Sequence, residues 1–127
     1  MNISPSVKSA IEKECQRLIS ELDGILCVVI ASTDGFDVGS AVKTALDPAK
    51  IAAMASSIIA IGSVVSQEAT LGNSKSVMVN TEDGLAYMTY IHVNDETFIL
   101  NIIANHSALL AQVIYQASET SKRLRAL

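Results

Sequence analysis

The sequence predicts an α+β fold in the element order α-β-β-α-β-β-β-α, with five strands in an antiparallel sheet. Three observations carry this reading. Turn signals at Thr33-Asp34-Gly35, Glu82-Asp83-Gly84 and Asn94-Asp95-Glu96 each separate two short apolar runs, as hairpins do. The segments before the first strand and after the last recur apolar every three or four residues, as amphipathic helices do. Between the second and third strands lies DPAKIAAMASSIIAIGSVVSQEATLG, Asp47 to Gly72, which reads as one long helix.

The elements follow in chain order. Ser4-Pro5 marks a capped helix start, and Val7, Ile11, Cys15, Leu18 and Leu22 form the apolar stripe of a helix over 5–22. Glu12, Lys13, Glu14, Arg17 and Glu21 are expected on its wet side. ILCVVIAS (25–32) is too short for a helix and continuous enough for a central strand. Phe36 to Val42 reads as a weaker second strand. After the long helix come Ser76 to Thr81, Leu85 to Val93 and Phe98 to Ala104. In the middle one, Leu85, Tyr87, Thr89 and Ile91 share one side, and Ala86, Met88, Tyr90 and His92 the other. Ser107 is the expected cap of a last helix that turns Leu110, Val113, Ile114, Ala117 and Leu124 inward. STDG (32–35) and TEDG (81–84) look like a repeat, which shared type I′ turn chemistry explains.

The long helix is the stretch around which the chain is organised. Asp47 is a good N-cap, Pro48 suits the first helical position, and Gly72 suits a left-handed C-terminal residue. At 3.6 residues per turn Ile51, Met54, Ile58, Ile61 and Val65 form a large-residue stripe, expected to pack on the core. Ala52, Ala55, Ser56, Ile59, Gly62, Ser63 and Ser66 fill a second arc. Small residues let another backbone come close, so this arc is the expected dimer interface with a second copy of the chain. Lys50, Ser57 and Glu68 are expected on the flank between the two arcs, accessible to a further partner.

Composition narrows the function classes. At 127 residues the chain is long enough for a real core and is expected to form one domain over 1–127. It is 50% hydrophobic and only 17% charged, with mean hydropathy +0.38, which favours an additional buried surface such as a subunit interface. The longest purely apolar run, Ile25 to Ala31, is too short to cross a bilayer, and charges at 12–17 interrupt any leader-like segment. Membrane insertion is therefore not expected, and the cytoplasm is the expected location. Net charge is −4, and the only basic cluster, Lys122, Arg123 and Arg125, suits a helix C-terminus. Nucleic-acid binding has no support. Cys15 and Cys27 are isolated in apolar settings and are expected as buried free thiols.

No catalytic constellation is visible. A phosphate-cradling Gly-x-x-x-x-Gly-Lys-Ser/Thr loop is absent. Asp34, Asp37, Asp83 and Asp95 sit in or beside turns, where short polar residues form the turn itself. His92 and His106 have no partner at metal-ligand spacing, and the serines of the long helix stand in no nucleophile motif. No catalytic residue, metal site or cofactor is expected.

With elements and turns placed, the sequence resembles the roadblock/dynein-light-chain family over about residues 5–124. The resemblance rests on LDGILCVVIASTDGFDVGSA, the Ala-rich DPAKIAAMASSIIAIGSVV helix and VMVNTEDGLAYMTYIHVNDETFILNIIANHSALLAQVI. It implies a five-stranded antiparallel sheet with the long central helix on one face and the terminal helices on the other. It also implies dimers that pair the long helices and join edge strands. Bacterial members regulate or scaffold small Ras-like GTPases, including a gliding-motility branch that activates GTP hydrolysis in its partner. The family supplies no invariant catalytic residue. The reading that follows is a non-enzymatic dimerising module that binds and regulates a small Ras-like GTPase, docking around Lys50, Ser57 and Glu68. The alternatives are a small-ligand sensor, disfavoured by an aromatic content of only 4%, and a structural adaptor of a motor or filament assembly.

Overall fold

A computed structural model describes residues 3–127. The elements are α1 (Pro5–Glu21), β1 (Ile25–Ser32), β2 (Asp37–Val42), α2 (Pro48–Glu68), β3 (Ser76–Asn80), β4 (Gly84–Val93), β5 (Glu96–Asn105) and α3 (Leu110–Arg125). The strands form one antiparallel sheet in the order β2-β1-β5-β4-β3, so β5 is central and β2 and β3 are the edges. α1 and α3 cover one face and α2 the other, as the family resemblance implies.

Strand alternation divides the core in two. Val28 and Ile30 of β1, Phe98, Leu100 and Ile102 of β5, and Ile91 of β4 point toward α1 and α3, where Ile11, Cys15, Leu18, Val113 and Leu124 meet them. Val29 and Ala31, with Ile99 and Met88, point toward α2. Asn101 is the polar exception on the α2 side, fully buried, its Nδ2 donating to the Val29 carbonyl at 3.2 Å.

α1 starts as expected, with Ser4 Oγ accepting from the Val7 N–H at 3.3 Å. Its wet side does not. Glu14 and Arg17 are turned into the seam with α3, where Glu14 Oε1 accepts from Arg17 and from Thr120 Oγ1 at 3.0 Å. α3 also differs from expectation. It begins at Leu110 behind Leu109, because Ser107 is engaged by the Asn105 carboxamide oxygen at 2.9 and 2.6 Å and caps nothing. Val113, Ala117, Thr120 and Leu124 face inward, while Leu110 and Ile114 stay partly exposed.

The turns show what Asp-Gly sequences leave open. Only Gly35 is left-handed in the first hairpin (φ 96°), a three-residue loop closed by Gly35 N–H to the Ser32 carbonyl and Ser32 N–H to the Phe36 carbonyl. Gly84 has no positive φ. It is required because a Cβ there would run into the Ala104 carbonyl of the neighbouring strand. Both central residues are left-handed instead at Asn94 (φ 50°) and Asp95 (φ 65°), the turn from β4 to β5 and the one with type I′ character. STDG and TEDG are thus alike in sequence and different in geometry.

α2 is capped as expected, Asp47 Oδ1 accepting from the Ala49 N–H at 3.0 Å with Pro48 in the first turn. It ends before the expected Gly72. Thr70 (φ 54°) takes the left-handed position, with Leu71 N–H bonded to the Ser66 carbonyl at 2.8 Å and Thr70 N–H to the Gln67 carbonyl at 3.1 Å. This is a Schellman closure built without glycine.

Candidate functional site

The two arcs of α2 are used the opposite way round from the sequence expectation. Ala52, Ala55 and Ile59 are 0–2% exposed and pack on the protein's own sheet. Gly62 lies against Val77 of β3, and Ser63 Oγ meets the Tyr90 hydroxyl of β4 at 3.2 Å. Ser56 is half-buried beside Gly35 of the first hairpin, and Ser66 is half-buried with its Oγ donating to the Gly62 carbonyl at 2.9 Å. The expected dimer seam is therefore the inner face of the helix. The reason is volume. The sheet already presents Val29, Met88, Tyr90, Ile99 and Ile103 toward α2, so only small side chains fit between helix and strands.

The large residues are left outside. Met54, Ile61, Val64 and Val65 are 54–67% exposed, and only Ile51 and Ile58 of the expected core stripe reach the core's margin. Lys50, Met54, Ser57, Ile61, Val64 and Glu68 succeed one another at alternating steps of four and three residues, so they form a single exposed line down the helix. Lys50, Ser57 and Glu68 are not flank positions. Ser57 lies mid-line, and Lys50 and Glu68 close its two ends with opposite charges. Turned end for end, the line maps onto itself: Lys50 falls opposite Glu68, Met54 opposite Val64, and Ser57 opposite Ile61.

β3 adjoins this face. It pairs only with β4, so its other edge offers unpaired backbone groups, and Met78 and Val79 on it are 38–40% exposed. An apolar helix face beside an open strand edge is a surface suited to another polypeptide, since the strand edge can be paired only by backbone. By length and composition α2 is also apolar enough to cross a bilayer, which the sequence search for purely apolar runs missed. Its inner face is nevertheless locked onto the sheet through Ala52, Ala55 and Ile59.

The other groups singled out by sequence do not converge on this surface. Asp34 is fully exposed in the first hairpin, its carboxyl held below the usual range by a hydrogen bond from Ser32 and by its own backbone N–H. Asp37 is pushed up by partial burial at the start of β2, with Lys8 opposing the shift. The Cys15 and Cys27 thiols are free and buried, and burial raises both, Cys15 to about 12.

This arrangement of layers has close counterparts among solved structures. Myxococcus xanthus MglB superimposes with a TM-score of 0.83 at 17% identity, covering 99% of this chain and 92% of that one. A Roadblock/LC7 domain from Streptomyces avermitilis gives 0.79 at 19% identity, covering 91% and 94%. The gliding protein MglB of Thermus thermophilus gives 0.82 at 11% identity, covering 98% and 92%. The chain has the roadblock fold. No protein-family model matches the sequence, and no curated protein does. Within that fold, α2 and β3 together present an exposed apolar helix face beside a strand edge.

Proposed function

We propose that the chain is a non-enzymatic, cytoplasmic interaction module that pairs with a second copy of itself and regulates a small Ras-like GTPase. The observation that carries the reading is the exposed line on α2, which carries Met54, Ile61 and Val64 between oppositely charged ends. An antiparallel partner helix would cover Met54, Ile61 and Val64 and bring each Lys50 to the other copy's Glu68, while the adjacent β3 edge gains a strand. Two-fold pairing makes every such contact occur twice. The gliding protein MglB, similar in fold, supports a place in a regulatory assembly, and the resemblance in the sequence motifs supplies the GTPase as partner class.

A regulator of this kind needs no catalytic side chain. It acts by binding one switch conformation of the GTPase better than the other, and its effect is bounded by that difference in affinity. With the α2 line taken up by the dimer, the GTPase docks on the composite surface of the pair, its rim and flanking loops, instead of on Lys50, Ser57 and Glu68.

The test is capture of GTPases from the native lysate under GDP and under a non-hydrolysable GTP analogue, followed by calorimetry on the GTPase retained. A difference of about tenfold or more between the nucleotide states is expected, equivalent to about 1.4 kcal/mol. Equal affinities would reduce the protein to an adaptor, and retention of no GTPase under either condition would remove the partner assignment.

A further inference from the structure

Where β3 stops, a polar cavity opens. The ladder between β3 and β4 ends at the Ser76–Thr89 pair, while β4 runs on to Val93. The space measures about 520 Å³, and its walls include Ser63 of α2, Lys75 before β3, Tyr90 and His92 of β4, Thr97 of β5 and Arg125 of α3. Elements from both faces of the sheet therefore meet at one gap in its edge.

The charge of this cavity is opposite to that of the protein. The chain has 13 acidic and 9 basic residues, yet no Asp or Glu lines the cavity, while Lys75, Arg125 and His92 do. Arg17 and Arg123 are paired with Glu14, and Lys122 with Glu119, whereas Lys8, Lys13, Lys43 and Lys50 stand apart on the surface without an ion-pair partner among the described residues. Among the described residues, none of the three cavity groups has an ion-pair partner.

The walls are braced. Ser63 and Tyr90 share a hydrogen bond of 3.2 Å, and Thr89 Oγ1 donates to the Lys75 carbonyl at 3.0 Å, fixing the segment that carries the lysine. His92 Nδ1 is engaged by Thr97 Oγ1 at 3.1 Å, which leaves Nε2 for a ligand. Basic side chains from separate elements lining one space, together with hydroxyls, suit an anion with several acceptor oxygens in different directions. A lone carboxylate has only two oxygens in one plane and is satisfied by a single guanidinium. The volume falls within the range of small-molecule sites.

We propose that this cavity binds a small phosphate-bearing anion, held by Lys75, Arg125 and His92. The proposal uses none of the exposed α2 line and stands or falls separately from the GTPase reading.

The experiment is calorimetric titration of the full chain with inorganic phosphate, pyrophosphate and ADP, which separates a free phosphate from a phosphoryl group on a larger molecule. Binding of one ion per chain is expected, with pyrophosphate or ADP tighter than phosphate. Lys75→Gln and Arg125→Gln should each weaken it about fivefold, the upper range for one solvent-exposed charge contact. Lys13→Gln, an exposed charge on α1 away from the cavity, controls for the overall field and should change it less than about twofold. Amide chemical shifts should move at His92 and Thr97, and circular dichroism of each variant confirms that the fold is kept. Absence of saturation by all three probes up to about 10 mM would overturn the proposal, as would Lys13→Gln weakening binding as much as Lys75→Gln.

Discussion

Gly62 of α2 lies so close to Val77 of β3 that a Cβ added to the glycine would stand 2.6 Å from the valine Cγ2. The helix is held down on the sheet edge at that point, and the glycine belongs to the inside of the protomer. Gly62→Ala adds one methyl against a valine on an edge strand and gains about 1 kcal/mol in helix propensity, so the two effects nearly cancel. Gly62→Leu has no such offset. It should destabilise the protein by about 1–3 kcal/mol in urea melts. Unchanged stability of the leucine variant would place the glycine outside the packed layer.

The exposed line of α2 gives the opposite pattern, with loss of association and no loss of fold. Ile61→Arg should leave thermal stability of the isolated protomer unchanged, and light scattering should report a monomer. Lys50→Glu alone sets like charges opposite each other at both ends of the seam. Reversal at both positions, Lys50→Glu with Glu68→Lys, restores opposite charges and should recover most of the lost affinity. Each exposed pair contributes about 0.2–1 kcal/mol, so the single reversal should weaken the dimer by up to about 2 kcal/mol. A double variant no better than the single one would exclude antiparallel pairing along this line.

Glu14 ties the two helices on the other face together. Its carboxylate receives Arg17, Thr120 and, at 3.7 Å, Arg123, with only 12% of the Glu14 side chain exposed. Glu14→Ala leaves the buried Thr120 hydroxyl without its acceptor and takes one acceptor from the Arg17 guanidinium, which keeps Glu21 and Gln116. A loss of about 1–3 kcal/mol is expected from the orphaned hydroxyl. Arg125→Ala, on the same terminal turn but outside this network, serves as the contrast and should stay within about 0.5 kcal/mol.

Cys15 should be chemically silent in the folded protein. Burial raises its thiol to about 12, so almost no thiolate is present at neutral pH, and the side chain is out of reach of reagents. Labelling by a thiol reagent at neutral pH should follow global unfolding, with both cysteines reacting promptly in denaturant. Rapid labelling of Cys15 under native conditions would mean that α1 lifts from the sheet without unfolding of the whole.

The sequence by itself determined the elements and their order. Period-2 and period-3.6 patterns and turn residues are local properties, and they marked every helix and strand to within a few residues. Asp47 and Ser4 cap helices as read, because a cap needs only its own next few residues. What tertiary structure decided is which way each element faces. Met54 and Ile61 rank as core residues by hydrophobicity and Ala52 and Ala55 as a seam, yet the sheet's own Ile99 and Met88 fill the space under α2 and admit only the small side chains. Glu14 reads as a solvated charge until α3 brings Thr120 to it. The cavity lined by Ser63, Lys75, His92 and Arg125 joins residues up to 62 positions apart, so no spacing in the chain announces it. Facing depends on the volume and charge that distant segments supply, and that information is not local.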